Sequence, residues 1–261
     1  MFKKISMLAA AAVVAISAGS ALADGHMKNL RIGVEGAYPP FSEKTASGDL
    51  IGFDIDIAMA LCEKMNAKCE LVEQDWDGII PALLARKYDA IIASMSITEE
   101  RKKVVDFSKK YYNEVAKFAA KSGAISDDSP AGLAGKTIGV QRGTIHDNYV
   151  SEVYKDSEIK RYGTQDEVYL DLIAGRLDAI LAGAIAIDDG FLTTKEGKGF
   201  GFFGGEHADP KYFGDGAGVA VRQGEDELRD SFTAAIKAIR DDGTYAKINA
   251  KYFDFDIYGN E

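Results

Sequence analysis

The 261-residue chain contains two cysteines, three histidines and one tryptophan, and each scarcity removes a class of function. His26, His146 and His207 are scattered without ligand spacing, and two cysteines alone do not complete a metal centre, so no metal site is expected. Basic residues are also short, 31 against 41 acidic ones for a formal charge of −10, and a surface of that sign repels nucleic acid. The signatures of common catalysts are missing: no Walker phosphate loop, no HExxH zinc-protease helix and no GxSxG nucleophile elbow. The glycines of Gly214-Asp215-Gly216-Ala217-Gly218 lack the spacing and strand-to-helix context of a dinucleotide loop. No enzyme announces itself, and no cofactor is implied.

Long apolar runs are absent beyond the first residues. Lys3 and Lys4 precede an apolar stretch from Met7 to Ile16, and Ala21-Leu22-Ala23 supplies the small-x-small pattern read by signal peptidase, placing a cut at Ala23/Asp24. Residues 1–23 are thus expected to be a cleaved signal peptide. That run is too brief for a bilayer span, which needs about 20 apolar residues, and no later segment is long enough. No lipobox cysteine lies near Ala23. Losing Lys3 and Lys4 takes the formal charge from −10 to about −12. In an oxidising compartment, Cys62 and Cys69 read as one short-loop disulfide pinning a helix end to the next strand.

Two phrases recur in the same order. Ile32-Gly33-Val34 returns as Ile138-Gly139-Val140, and Tyr88-Asp89-Ala90-Ile91-Ile92 returns as Leu177-Asp178-Ala179-Ile180-Leu181. Strands are expected at 30–35, 69–72 and 90–93, with helices at 53–65 and 76–85 between them. The second series places strands at 137–140, 158–162 and 179–181, with helices at 145–153 and 165–174. This βαβ logic predicts two α/β lobes of similar plan, each a mostly parallel sheet flanked by helices. A strand at 216–221 and helices at 227–240 and 244–252 are expected to return to the first lobe. Lobe 1 is then 24–113 with 216–261, and lobe 2 is 114–215. Crossings near 112–118 and 211–216 form a hinge, with the ligand between the lobes.

The stretches Ile32-Gly33-Val34-Glu35-Gly36-Ala37-Tyr38-Pro39-Pro40-Phe41, Gly52-Phe53-Asp54-Ile55-Asp56, Trp76-Asp77-Gly78-Ile79-Ile80-Pro81 and Ser94-Met95-Ser96-Ile97-Thr98 through Arg101 resemble the periplasmic polar-amino-acid-binding proteins of ABC importers. The resemblance runs from about Leu30 to Gly259 and is nearest the lysine/arginine/ornithine- and histidine-binding branch. It implies a type II periplasmic-binding-protein fold, closing over one small solute and presenting it to permease and ATPase subunits. It also implies a periplasmic monomer that does not itself span the membrane.

The site residues follow from chemistry set beside that resemblance. Arg101 has a planar guanidinium suited to a carboxylate, with charge-assisted bonds contributing about 1.5 to 3 kcal/mol. In related receptors the positions of Ser94, Met95 and Ser96 belong to the loop that binds the same carboxylate. Thr144, before a helix of the second lobe, either caps that helix, adds donors for an anion, or does both. Glu35, Tyr38 and Trp76 match positions that supply an acid and two aromatic faces to a cationic side chain, although ordinary core packing is the plainer role for the two aromatics.

One position departs from the pattern. The basic-amino-acid receptors have an aspartate for the ligand's α-ammonium where this chain has Gly183, and Asp188 and Asp189 lie about a helix turn too far to replace it. An unpaired buried ammonium costs several kcal/mol. Gln141, Arg142 and His146 are placed to meet a substituent on that nitrogen. Two ligand classes therefore stand open: arginine, lysine, ornithine or histidine, or an opine such as octopine or nopaline. The opine-binding relatives carry an insertion near 127–134 that this chain lacks. Extracellular dehydratases share the fold and form a more distant alternative.

Overall fold

A computed structural model describes residues 28–259; the expected signal peptide, its cleavage site and His26 lie outside the described residues. The chain opens with β1 (Lys28–Val34), an apolar strand buried at Leu30, Ile32 and Val34. A small antiparallel sheet follows, made of β2 (Ala37–Tyr38), β3 (Ser42–Lys44) and β4 (Leu50–Ile51). Helix α1 (Phe53–Lys64) then leads to β5 (Ala67–Glu73), which runs parallel to β1 in the register Ile32↔Leu71. A 3-10 turn at Trp76–Gly78, α2 (Ile79–Leu84) and β6 (Ala90–Ile91) complete a second βαβ unit on the other side of β1.

The chain crosses from β7 (Val105–Tyr112) to β8 (Ala116–Lys121) and builds a second sheet from β9 (Thr137–Gln141), α3 (Ile145–Val153), β10 (Glu158–Tyr162), α4 (Gln165–Ile173) and β11 (Ala179–Gly183). Short α5 (Ala184–Ile187) precedes β12 (Phe200–His207), and α6 (Pro210–Phe213) leads back to β13 (Ala217–Arg222) in the first sheet. Finally α7 (Asp226–Asp241) and α8 (Thr244–Tyr252) pack on α1. The α7 stripe of Leu228, Phe232, Ala235, Ile236 and Ile239 supplies the buried face.

The strand orders are β5-β1-β6-β13-β7 and β10-β9-β11-β8-β12. Each sheet is more mixed than the βαβ reading predicts. Parallel pairs on one side of each sheet give way to antiparallel pairs on the other. Of the strands held only by antiparallel pairing, β13 was expected from the sequence and β7, β8 and β12 were not. β8 (AKFAAK) is alanine-rich, β12 (FGFFGGEH) carries three glycines, and β7 shifts register against β13.

The repeated phrases turn out to touch each other in the same way in both sheets. Ile32 and Gly33 pair with Ala90 and Ile91, and Ile138 and Gly139 pair with Ala179 and Ile180. Asp89 accepts from Arg31 N at 2.9 Å, and Asp178 accepts from Thr137 N at 2.9 Å. A Cβ on Gly33 would stand 2.5 Å from the Tyr88 ring, and one on Gly139 would overlap the Leu177 side chain. Each glycine is thus a flat seat for the first residue of the second phrase.

Apolar clusters cover both faces of both sheets. Ala186, from α5 beyond the second sheet, joins the cluster that contains Tyr38 and Phe41 of the first. Cys62 and Cys69 are joined as a disulfide, tying the end of α1 to β5 as the cysteine spacing predicts.

Candidate ligand-binding site

The carboxyl ends of β1, β5, β6 and β9 face a common cavity of about 610 Å³, its open mouth included. That is the usual place for ligands in open α/β sheets. Glu35, Tyr38, Trp76, Ser94, Ser96 and Arg101 line it from the first sheet, and Gln141, Thr144 and His146 from the second.

Arg101 starts a single 3-10 turn after the β6 loop. Its Nη1 donates to Ser96 O at 3.0 Å, and its guanidinium lies 5.2 Å from the Trp76 ring centroid. Among the described residues no acidic side chain pairs with it, and burial pushes its pKa down to about 10. A half-buried cation with donors to spare suits an anionic partner. The loop beneath is stiffened from below. Ser94 has a left-handed backbone (φ 52°), held because its amide donates to Tyr111 Oη at 3.1 Å and its Oγ donates to Asp54 at 2.8 Å. Tyr111 Oη donates to the other Asp54 oxygen at 2.8 Å.

Ser94 therefore lines the cavity with its hydroxyl proton directed to Asp54, not to a ligand. Met95 corrects the expectation more fully. Its side chain is wholly buried among Trp76, Ile79 and Leu83, and its carbonyl accepts from Gly218 N at 3.0 Å, so it supports the loop without bordering the cavity.

Glu35 is 7% exposed, and burial raises its carboxyl to about 7 despite a hydrogen bond from Gln141 Nε2. Tyr38 stacks on Phe41 at 5.8 Å and is bonded to the Gly183 backbone, so it is both a core aromatic and part of the cavity wall. Trp76 is likewise a core residue with one exposed edge, and Arg101 occupies one of its faces.

On the second wall Thr144 is the N-cap of α3, accepting from Asp147 N at 3.2 Å while its hydroxyl donates to Gln141 O at 2.8 Å. It still borders the cavity. His146 packs against Phe213 at 6.1 Å, and burial beside Arg101 lowers its pKa to about 3, leaving it neutral. Arg142 does not reach the cavity; it forms an ion pair with Asp77 at the rim, 2.5 Å across the cleft. Gln141 to Glu35 and Asn148 to Glu100 (3.3 Å) are further bonds between the walls.

Gly183 is the second correction, because it does not border the cavity. The space a side chain there would fill is occupied by the Glu114 carboxylate. Glu114 lies in the crossing between β7 and β8, lines the cavity, and accepts from Ile185 N at 3.2 Å. Burial raises its carboxyl to about 8. Sequence reading missed it, along with Asn113, Val115 and Phe213. The available signal was an acid placed inside a predicted crossing between the two walls.

Comparison with known proteins agrees with this geometry. Residues 30–255 match the family model of bacterial extracellular solute-binding proteins, family 3. The chain is 51% identical to the L-arginine-binding protein of Pseudomonas aeruginosa, over 99% of both chains. It is 41% identical to the lysine/arginine/ornithine-binding periplasmic protein of Escherichia coli, over 98% of this chain and all of that one. An ancestral arginine-binding protein bound to arginine superposes with a TM-score of 0.80 at 39% identity, covering 87% of this chain and 100% of that one. These relatives are binding proteins, and no helix among the described residues is long and apolar enough to cross a membrane. The chain belongs to the bacterial extracellular solute-binding proteins of family 3.

Proposed function

We propose that the chain is the periplasmic receptor of an ABC importer for a cationic amino acid of the arginine, lysine, ornithine and histidine class. The carrying observation is the pairing of opposite poles in one cavity. Among the described residues Arg101 lacks an acid of its own, and Glu35, Tyr38 and Trp76 bring a carboxylate and aromatic rings to the same cavity. The 51% identity to a protein named for L-arginine supports arginine as the first solute to test.

In this reading residues 24–113 with 216–261 form one lobe and 114–215 the other. The crossings near 112–118 and 211–216 flex. The ligand favours the shut form because only there do Gln141, Thr144 and His146 meet it. The bonds Glu35–Gln141, Asp77–Arg142 and Glu100–Asn148 support the described arrangement as the shut one. Residues 1–23 direct export and are removed, and the monomer delivers its solute to permease and ATPase subunits.

The test is a solute panel on ligand-stripped protein, read by calorimetry and Trp76 emission. Arginine-class solutes are expected at micromolar dissociation constants or tighter, about −8 kcal/mol. Agmatine, which lacks the carboxylate, and glutamine, which lacks the cation, are expected to bind at least tenfold more weakly. Neutral or acidic solutes binding best would overturn the assignment. Mass spectrometry is expected to return the solute unchanged.

A further inference from the structure

Gly183 has φ −56° and ψ 135°, a conformation open to any residue, so no backbone demand accounts for a glycine there. The demand is space. A Cβ at 183 would run into both carboxylate oxygens of Glu114, and the glycine and the glutamate are complementary halves of one arrangement. Glu114 is held by the amide of Ile185 and by the Tyr112 side chain, and among the described residues no lysine or arginine pairs with it. It therefore presents a carboxylate without a cation to the same cavity that holds Arg101.

Resting on the reading above, we propose that Glu114 accepts the free α-ammonium of the ligand and thereby sets the receptor against solutes whose α-nitrogen carries a second carboxylate. An amino acid bears its carboxylate and ammonium on one carbon, so the acceptor for the second must border the cavity that clamps the first. Glu114 meets that condition from the crossing. A carboxyalkyl group on the nitrogen, as in an opine, would need the room that Glu114 fills and would bring a second negative charge against it. A half-buried acid also explains its own state. Partial burial lifts the carboxyl to about 8, and a neighbouring ammonium stabilises the ionised form.

The experiment is calorimetry at pH 8.5 with L-arginine, 5-guanidinopentanoate, which is arginine without its α-amine, and octopine. The wild-type protein is expected to prefer arginine to both analogues by at least 100-fold. Glu114→Gln, nearly isosteric, is expected to lose at least tenfold for arginine while 5-guanidinopentanoate changes less than threefold, a difference that a general loosening of the site would not produce. Gly183→Asp alone is expected to bind arginine poorly, since two carboxylates collide. Combined with Glu114→Ala, it is expected to recover most of the affinity by returning an acid to the vacated space. Equal arginine affinity in Glu114→Gln and wild type, or wild-type octopine binding as tight as arginine, would overturn the proposal. Failure of wild type to bind any cationic amino acid would instead remove the reading on which it rests.

Discussion

Arg101 and Glu35 bring a base and an acid to one cavity. Among the described residues the half-buried guanidinium has no carboxylate partner, and the buried Glu35 accepts from Gln141. Neither arrangement favours the empty fold, because a buried charge without its counter-ion is destabilising. Arg101→Ala and Glu35→Ala are each expected to weaken arginine binding at least tenfold while moving the melting temperature of the empty protein little, by differential scanning fluorimetry. A large drop in stability with little loss of affinity would assign both residues to structure. Glu35, Tyr38, Trp76 and Arg101 were expected from their chemistry and from the family motifs they match, and all four line the cavity. Met95 was misread because a loop motif does not say which of its side chains turns inward. Glu114 was missed because nothing periodic marks a crossing.

At the scale of strands and helices, the doubled phrases are the informative feature. They were legible as a repeat, and their mutual contact was not, since sequence gives order without partners. Gly33 lies under a rigid tyrosine ring whose hydroxyl is bonded to Ile79 O. Gly139 lies under the end of a flexible leucine. Gly33→Ala is therefore expected to destabilise by about 1 to 3 kcal/mol in denaturant unfolding, the range for overpacking, and Gly139→Ala by less. Equal effects would mean that the two seats give way alike. The disulfide belongs to this scale also. Closing so short a loop is expected to contribute about 2 kcal/mol, and Cys62→Ser with Cys69→Ser is expected to lower stability by about that amount without changing affinity. Strands β8 and β12 escaped sequence reading because alanine and glycine blur the alternation that marks a half-buried strand.

For the whole molecule, three acids raised by burial, Glu35 and Asp54 to about 7 and Glu114 to about 8, set the pH response. Their folded pKa values lie above the unfolded ones, so the stability they contribute is complete in acid and is lost as pH rises through 7 to 8. His146, lowered to about 3, works the other way, and only as pH falls below its unfolded value near 6.5. Between pH 6.5 and 8.5 the acids dominate, and the empty protein is expected to melt a few degrees lower at the upper end, where about 1 kcal/mol corresponds to roughly 2–4 °C for a chain of this size. Because a cationic ligand favours the ionised acids, arginine is expected to bind more tightly, and to raise the melting point more, at pH 8 than at pH 6.5. A flat profile would mean these carboxyls do not face the ligand. The two-sheet plan was legible from the repeat. The bonds across the rim were not, because Asp77 and Arg142 are 65 positions apart.

The span 113–115 both joins the two sheets and carries an acid into the cavity. Recognition placed on the axle of a jaw has no distance to travel. If the two crossings flex as proposed, Gln141, Thr144 and His146 are carried into position while Glu114, on the crossing itself, is there from the start. In that scheme the amine would be inspected before the mouth closes, and an unsuitable visitor would depart without the receptor completing its stroke.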